Sequence, residues 1–189
     1  MPGEQRETTE GRLGAFQAIS RRRFLRWGLR GAGGLMGLAG AAGAGLLALR
    51  GCAPAVAGLR VLSAHQYRTL ASLARTIIPA GGPFPEGADD FDLARAFDAF
   101  LADEPEENVD ALGMALTLFE LGPVLFDARL KTFSNLSPGE QLTHAEGWLI
   151  SDQLMRRQVA TAFRRFVSLV FYDQPTVWPH IGYGGPSAA

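Results

Sequence analysis

Cysteine is almost missing from this chain. One Cys among 189 residues excludes an internal disulfide and any all-cysteine zinc or iron–sulfur site. No Cys-x-x-Cys-His is present, which excludes covalent c-type haem. Lysine is as scarce, with Lys131 alone; no Gly-Lys-Ser/Thr exists, so there is no P-loop. Histidine stops at His65, His144 and His180. They fall on three segments, none with a second His or Cys at ligand spacing, and each reads as a surface or capping residue. Gly-x-Ser-x-Gly is absent, so no nucleophile elbow exists. No stretch alternates apolar and polar residues long enough to make a strand.

The charge that is there is unevenly placed. Residues 1–51 carry eight Arg and three Glu, hence +5, while the remainder carries −6. A basic leader ahead of an acidic body argues against a nucleic-acid binder, whose folded part should be the basic one. Within the leader, Ser20-Arg21-Arg22-Arg23-Phe24-Leu25-Arg26 precedes an uncharged run from Gly31 to Leu49. Basic flank, apolar stretch and small residues form the layout of an export signal. Seven Gly and six Ala make the run a weak membrane anchor, because Gly disfavours helix and both bury little apolar area. Ser20, Arg21, Arg22, Phe24 and Leu25 resemble the twin-arginine (Tat) signal, which implies export of a folded chain to the periplasm. The division expected is residues 1–57 as signal region and 58–189 as the body. Two exits compete. Leu49-Arg50-Gly51-Cys52 resembles a lipobox with Cys52 lipidated, and Ala55-Val56-Ala57 offers the small-x-small pattern for cleavage before Gly58. The apolar run also holds Gly31-Ala32-Gly33-Gly34, but no strand precedes it and the third glycine of a dinucleotide loop is out of register.

The body reads as helices. Ser63 with Gln66 predicts a capping box, and Tyr67, Leu70, Leu73, Ala74, Ile77 and Ile78 repeat at helical spacing until Pro79. Asp89 is the expected cap of a second helix, with Phe91, Ala94, Phe97, Phe100 and Leu101 as its apolar face. Glu104-Pro105 opens a third, with Glu106 and Glu107 at its positive end. Gly122-Pro123 should kink or break it, with helix resuming from Val124 to Phe133. Ser137-Pro138-Gly139-Glu140 predicts another capping box. A final helix near Asp152 to Phe171 puts Arg156, Arg157, Arg164 and Arg165 on its wet side. The fold class expected is all-α, a compact domain of about five to six helices with an irregular aromatic tail.

The acidic clusters cap helices rather than hold calcium or form a paired-carboxylate site. Asp89-Asp90-Phe91-Asp92 lacks the spacing of a calcium loop, and Glu104-Pro105-Glu106-Glu107 marks a helix start. The tail is different. Tyr172, Trp178 and Tyr183 sit among Pro and Gly and need burial, either on their own domain or on a partner. A helical face of Phe91, Phe97 and Phe100 is the fallback for a partner surface. By its residues alone the chain carries no catalytic, cofactor-binding or metal-binding motif.

Three places resemble the gluconate 2-dehydrogenase subunit 3 family, the small gamma subunit of membrane-associated flavin dehydrogenases. They are Leu62-Ser63 through Ile77-Ile78-Pro79, the turn Leu136-Ser137-Pro138-Gly139-Glu140, and Phe171-Tyr172 through Pro175, Trp178 and Ile181-Gly182-Tyr183 to Gly185-Pro186. The resemblance implies a noncatalytic subunit of a periplasmic sugar or sugar-acid dehydrogenase, without cofactor of its own. Its partner would be a large FAD-containing subunit of the glucose–methanol–choline type, with a haem c subunit as a third member. The small subunit would assist folding and Tat export of the large one. The alternative is a stand-alone exported helical lipoprotein acting as a binding or envelope module.

Overall fold

Ser63 starts the first helix as its neighbours predict. Its hydroxyl accepts from the Gln66 amide at 3.3 Å, and the Gln66 side chain accepts from the Ser63 amide at 2.8 Å. The computed structural model describes residues 51–185; the twin-arginine motif Ser20, Arg21, Arg22, Phe24 and Leu25 therefore lies outside the described residues. Helix α1 runs Ala64–Ile77 and stops ahead of Pro79, which cannot continue it. Its buried face is Thr69, Leu70, Ser72, Leu73 and Ala74.

Helix α2, Leu93–Leu101, is capped by Asp92 and not by Asp89. Contacts with α1 delay the start. The Ala88 amide donates to the Ile78 carbonyl at 3.0 Å, which ties the turn back to the end of α1. Asp89 is drawn off by the Arg75 guanidinium, at 2.6 and 3.0 Å. Asp92, in a left-handed conformation, then accepts from the Arg95 amide. Phe91 is consequently outside the helix, edge-on to Phe171. Phe97 is buried in the core, so Phe91, Phe97 and Phe100 do not form one open face.

Helix α3, Glu106–Phe126, begins behind Pro105 with both glutamates in its first turn. Pro123 neither breaks nor ends it. Proline forfeits one backbone hydrogen bond, and burial of Leu121, Gly122 and Pro123 holds the turn in place. The helix expected from Val124 to Phe133 reaches only Phe126. The Pro123 carbonyl accepts from the amides of Asp127 and Arg129 at 3.2 and 3.0 Å, and Ala128 takes a left-handed φ of 51°. That closes the helix end. A 3-10 turn, Phe133–Asn135, leads to α4, Pro138–Leu149, whose capping box joins Ser137 and Glu140. Helix α5, Leu154–Tyr172, is followed by a second 3-10 turn, Trp178–Ile181. Among the described residues there are five α-helices and no strand, an all-α fold.

Helix α1 is central and packs on each of the other four helices; α5 closes over α2 and α4. Phe119 of α3 sits at the middle of the core, with the rings of Phe133 and Trp148 at 4.7 Å and Phe163 at 5.8 Å. Two buried acids fasten the periphery. Asp98 accepts from the amides of Arg60, Val61 and Leu62 at 2.6, 3.1 and 2.7 Å. Glu120 accepts from the Thr69 hydroxyl and from the amide and hydroxyl of Ser134, joining α1 and α3 to the first 3-10 turn. Several donors on one carboxylate offset the cost of removing its charge from water.

Candidate functional site

The end of α5 and the tail beyond it form one aromatic surface. Phe171 is buried and lies against Phe84 at 5.2 Å. Tyr172, the last residue of the helix, stays 45% exposed. The chain then folds back because Val177 is wholly buried in the core. With Val177 pinned, Trp178 is brought over the helix end, and its indole N–H donates to the Tyr172 carbonyl at 3.0 Å. Tyr183 returns by a left-handed Gly182 and donates its amide to the Trp178 carbonyl at 3.0 Å. Its ring stands edge-on to Trp178 at 5.4 Å and is 49% exposed. A side chain at Gly185 would press on the Trp178 ring at 3.2 Å.

Tyr172, Trp178 and Tyr183 are therefore brought together by the fold. Two expectations change in detail: Tyr172 belongs to a helix, and Trp178 opens a 3-10 turn rather than irregular chain. None of the three is a core residue. Val177, which the sequence reading passed over, is the staple. Its only signal was a β-branched apolar residue two places after a proline. Phe84 was missed too. It is edge-on to Phe171, Tyr172 and His180 and supports the patch from the loop after α1. Leu169 and Ile181, about half exposed, add apolar area. Rigid rings with polar edges, fixed in place and open to solvent, suit a protein partner.

The histidines do not all fit a surface role. His144 is buried among Phe119, Phe133 and Trp148, with Nδ1 2.7 Å from the Asp127 carboxylate. Burial pushes its imidazole below the ordinary value, against the pull of Asp127. The neutral ring then donates its Nδ1 proton in an uncharged-to-charged hydrogen bond. Arg156 also departs from expectation. Its guanidinium lies over the rings of Phe126 and Trp148, at 4.7 and 5.3 Å, instead of in water. Planar, weakly hydrated guanidinium stacks well on such faces. His180 approaches Glu86 at 3.9 Å at the edge of the tail.

A cavity of about 470 Å³ opens between α1, α2 and residues 53–56. Tyr67, Arg75, Asp89 and Asp92 reach it. Their polar atoms serve one another. The Tyr67 hydroxyl donates to Asp92 at 2.8 Å, and Arg95 donates to the other Asp92 oxygen at 2.9 Å. Burial, and then the contact with Asp92, raises the Tyr67 phenol above its ordinary value. Burial also pushes the Asp92 carboxyl up, but the bonds from Tyr67 and Arg95 outweigh it and leave it lowered. A neutral phenol and a carboxylate already engaged by three donors, the Tyr67 hydroxyl and the amide and Nε of Arg95, hold each other and leave no activated nucleophile between them. Among the described residues, no group of three His, Cys, Asp or Glu side chains could hold a metal. Cys52 is exposed. Compared with protein-family models, curated proteins and solved structures, the chain has no match.

Proposed function

We propose that the chain is the noncatalytic small subunit of a periplasmic flavin-dependent sugar or sugar-acid dehydrogenase. In this reading it binds a large FAD-containing subunit of the glucose–methanol–choline type, assists its folding, and carries it through the Tat pathway on the signal at Ser20 to Arg26. A haem c subunit is the natural electron acceptor of such an assembly. The observation that carries the reading is the tail. Tyr172, Trp178 and Tyr183 form one fixed, half-open aromatic surface anchored by Val177. The ordered resemblance at residues 62–79, 136–140 and 171–186 gives that surface its partner class.

The test is co-expression with an FAD-containing large subunit of the glucose–methanol–choline type, followed by pull-down. Interface aromatics often cost 2 kcal/mol or more on truncation, roughly thirtyfold in affinity. Trp178→Ala should release the flavoprotein and leave the helical circular dichroism of the free domain in place. Val177→Ala is the contrast, because it empties a core position and should lower stability by roughly 1.5–3 kcal/mol. Retention of the flavoprotein by Trp178→Ala would remove the tail from the interface. A chain that purifies alone, with no flavoprotein in any fraction, would favour the stand-alone lipoprotein module anchored through Cys52.

A further inference from the structure

The chain ahead of α1 lies on the domain, held at two points. Asp98 clamps the amides of Arg60, Val61 and Leu62. Further back, the Arg95 guanidinium donates to the Ala57 carbonyl at 2.8 Å. Arg95 is itself fixed, since its Nε donates to Asp92. Upstream of both anchors, Ala53, Pro54 and Val56 form one wall of the cavity whose other walls include Tyr67, Ala71 and Leu93. Between the anchors the chain turns, and Gly58 adopts φ +78°.

The bond from Ala57 to Gly58 is the one that the small-x-small pattern offers to a signal peptidase. Proteases that recognise such a pattern read the chain as an added extended strand. A φ of +78° is outside the extended region. To present the bond, Arg95 must release the Ala57 carbonyl and the turn must straighten. Only Gly58 and Leu59 separate that carbonyl from the first amide clamped by Asp98. We propose that the folded domain closes the bond after Ala57 to signal peptidase, so the exported chain keeps residues 53–57 as a strap across α1 and α2. The inference takes its setting from the export reading, in which the chain folds before it meets the peptidase.

The full-length chain in detergent, incubated with a type I signal peptidase and followed by intact mass, tests the closure directly. A synthetic peptide of residues 40–64 is the unfolded reference. Cleavage after Ala57 should be at least roughly tenfold slower in the folded chain than in the peptide, as expected when a site must open first. Arg95→Ala should recover several-fold of that loss. Equal rates in chain and peptide would overturn the proposal. So would a peptide that is never cut, because then the residues and not the fold close the bond. Exported chain beginning at Gly58 would overturn it as well. A chain retained in the cytoplasm, with the folded form still resistant in vitro, would sink the export reading and leave the strap standing.

Discussion

His144 is the residue through which pH reaches the core. Burial lowers its pKa from the ordinary 6.5, Asp127 opposes the shift, and Arg156 and Arg129 reinforce it. The unfolded chain takes up the proton near 6.5, and the folded chain resists until lower pH. In that window the unfolded state binds more protons, so stability declines as pH falls below about 6.5. The urea midpoint should therefore drop between pH 7 and pH 5. His144→Gln should be less stable at pH 7 but flatter across that range. An equal slope in both proteins would assign the pH dependence to other groups. The same scale separates two neighbours in the tail: Val177 is wholly buried in the core, and Trp178 is only partly covered.

At the scale of the element, Gly122 of α3 faces His144 and Trp148 of α4. A Cβ there would stand 2.8 Å from His144 Nε2 and 2.8 Å from a carbon of the Trp148 ring. Both neighbours are buried and cannot retreat. Gly122→Ala should cost about 1–3 kcal/mol, as overpacked cores do. Gly147 of α4 is the opposite case, since nothing lies within 4 Å of its absent Cβ. Gly147→Ala should gain up to about 1 kcal/mol through helix propensity alone. Thermal melts of the two variants should move in opposite directions. A stabilised Gly122→Ala would mean that the helices slide apart freely at that crossing. Pro123 belongs to the same crossing, and its burial explains why a residue that should interrupt α3 is carried inside it.

At the scale of the molecule, length and composition do not by themselves decide an element's place. Helix α3 is long and apolar enough to cross a bilayer, yet Leu112, Leu116 and Phe119 are turned into the core. Export is the whole-molecule property the leader predicts. Replacing Arg21 and Arg22 together by Lys should block delivery to the periplasm, because Lys keeps the charge but not the twin-arginine motif. A general secretory signal, which needs only a basic flank, would tolerate the exchange. Fractionation of cells expressing the double variant reads the outcome, and undiminished periplasmic protein would overturn the Tat reading. Among the described residues the buried core spans residues 62–177, and the melt of the double variant should match the parent.

What the sequence determined by itself is what neighbours within four residues decide. Ser63 with Gln66, Ser137 with Glu140, Pro79 after α1 and the two glutamates opening α3 all act through backbone groups one turn away. The all-α class follows from those starts together with the apolar spacing. Tertiary structure decided whatever depends on distant partners. Asp89 could cap a helix, but Arg75, fourteen positions earlier, takes it, and Asp92 caps instead. Arg156 is as polar as Arg164, yet only Arg156 meets the rings of Phe126 and Trp148. Of the candidate surface, the residue types were legible and their convergence was not. Tyr172, Trp178 and Tyr183 meet only because Val177, with nothing local to mark it, fills the core. Burial is a property of the assembled layers, and one-dimensional order does not specify which apolar residue will fill the last space between them.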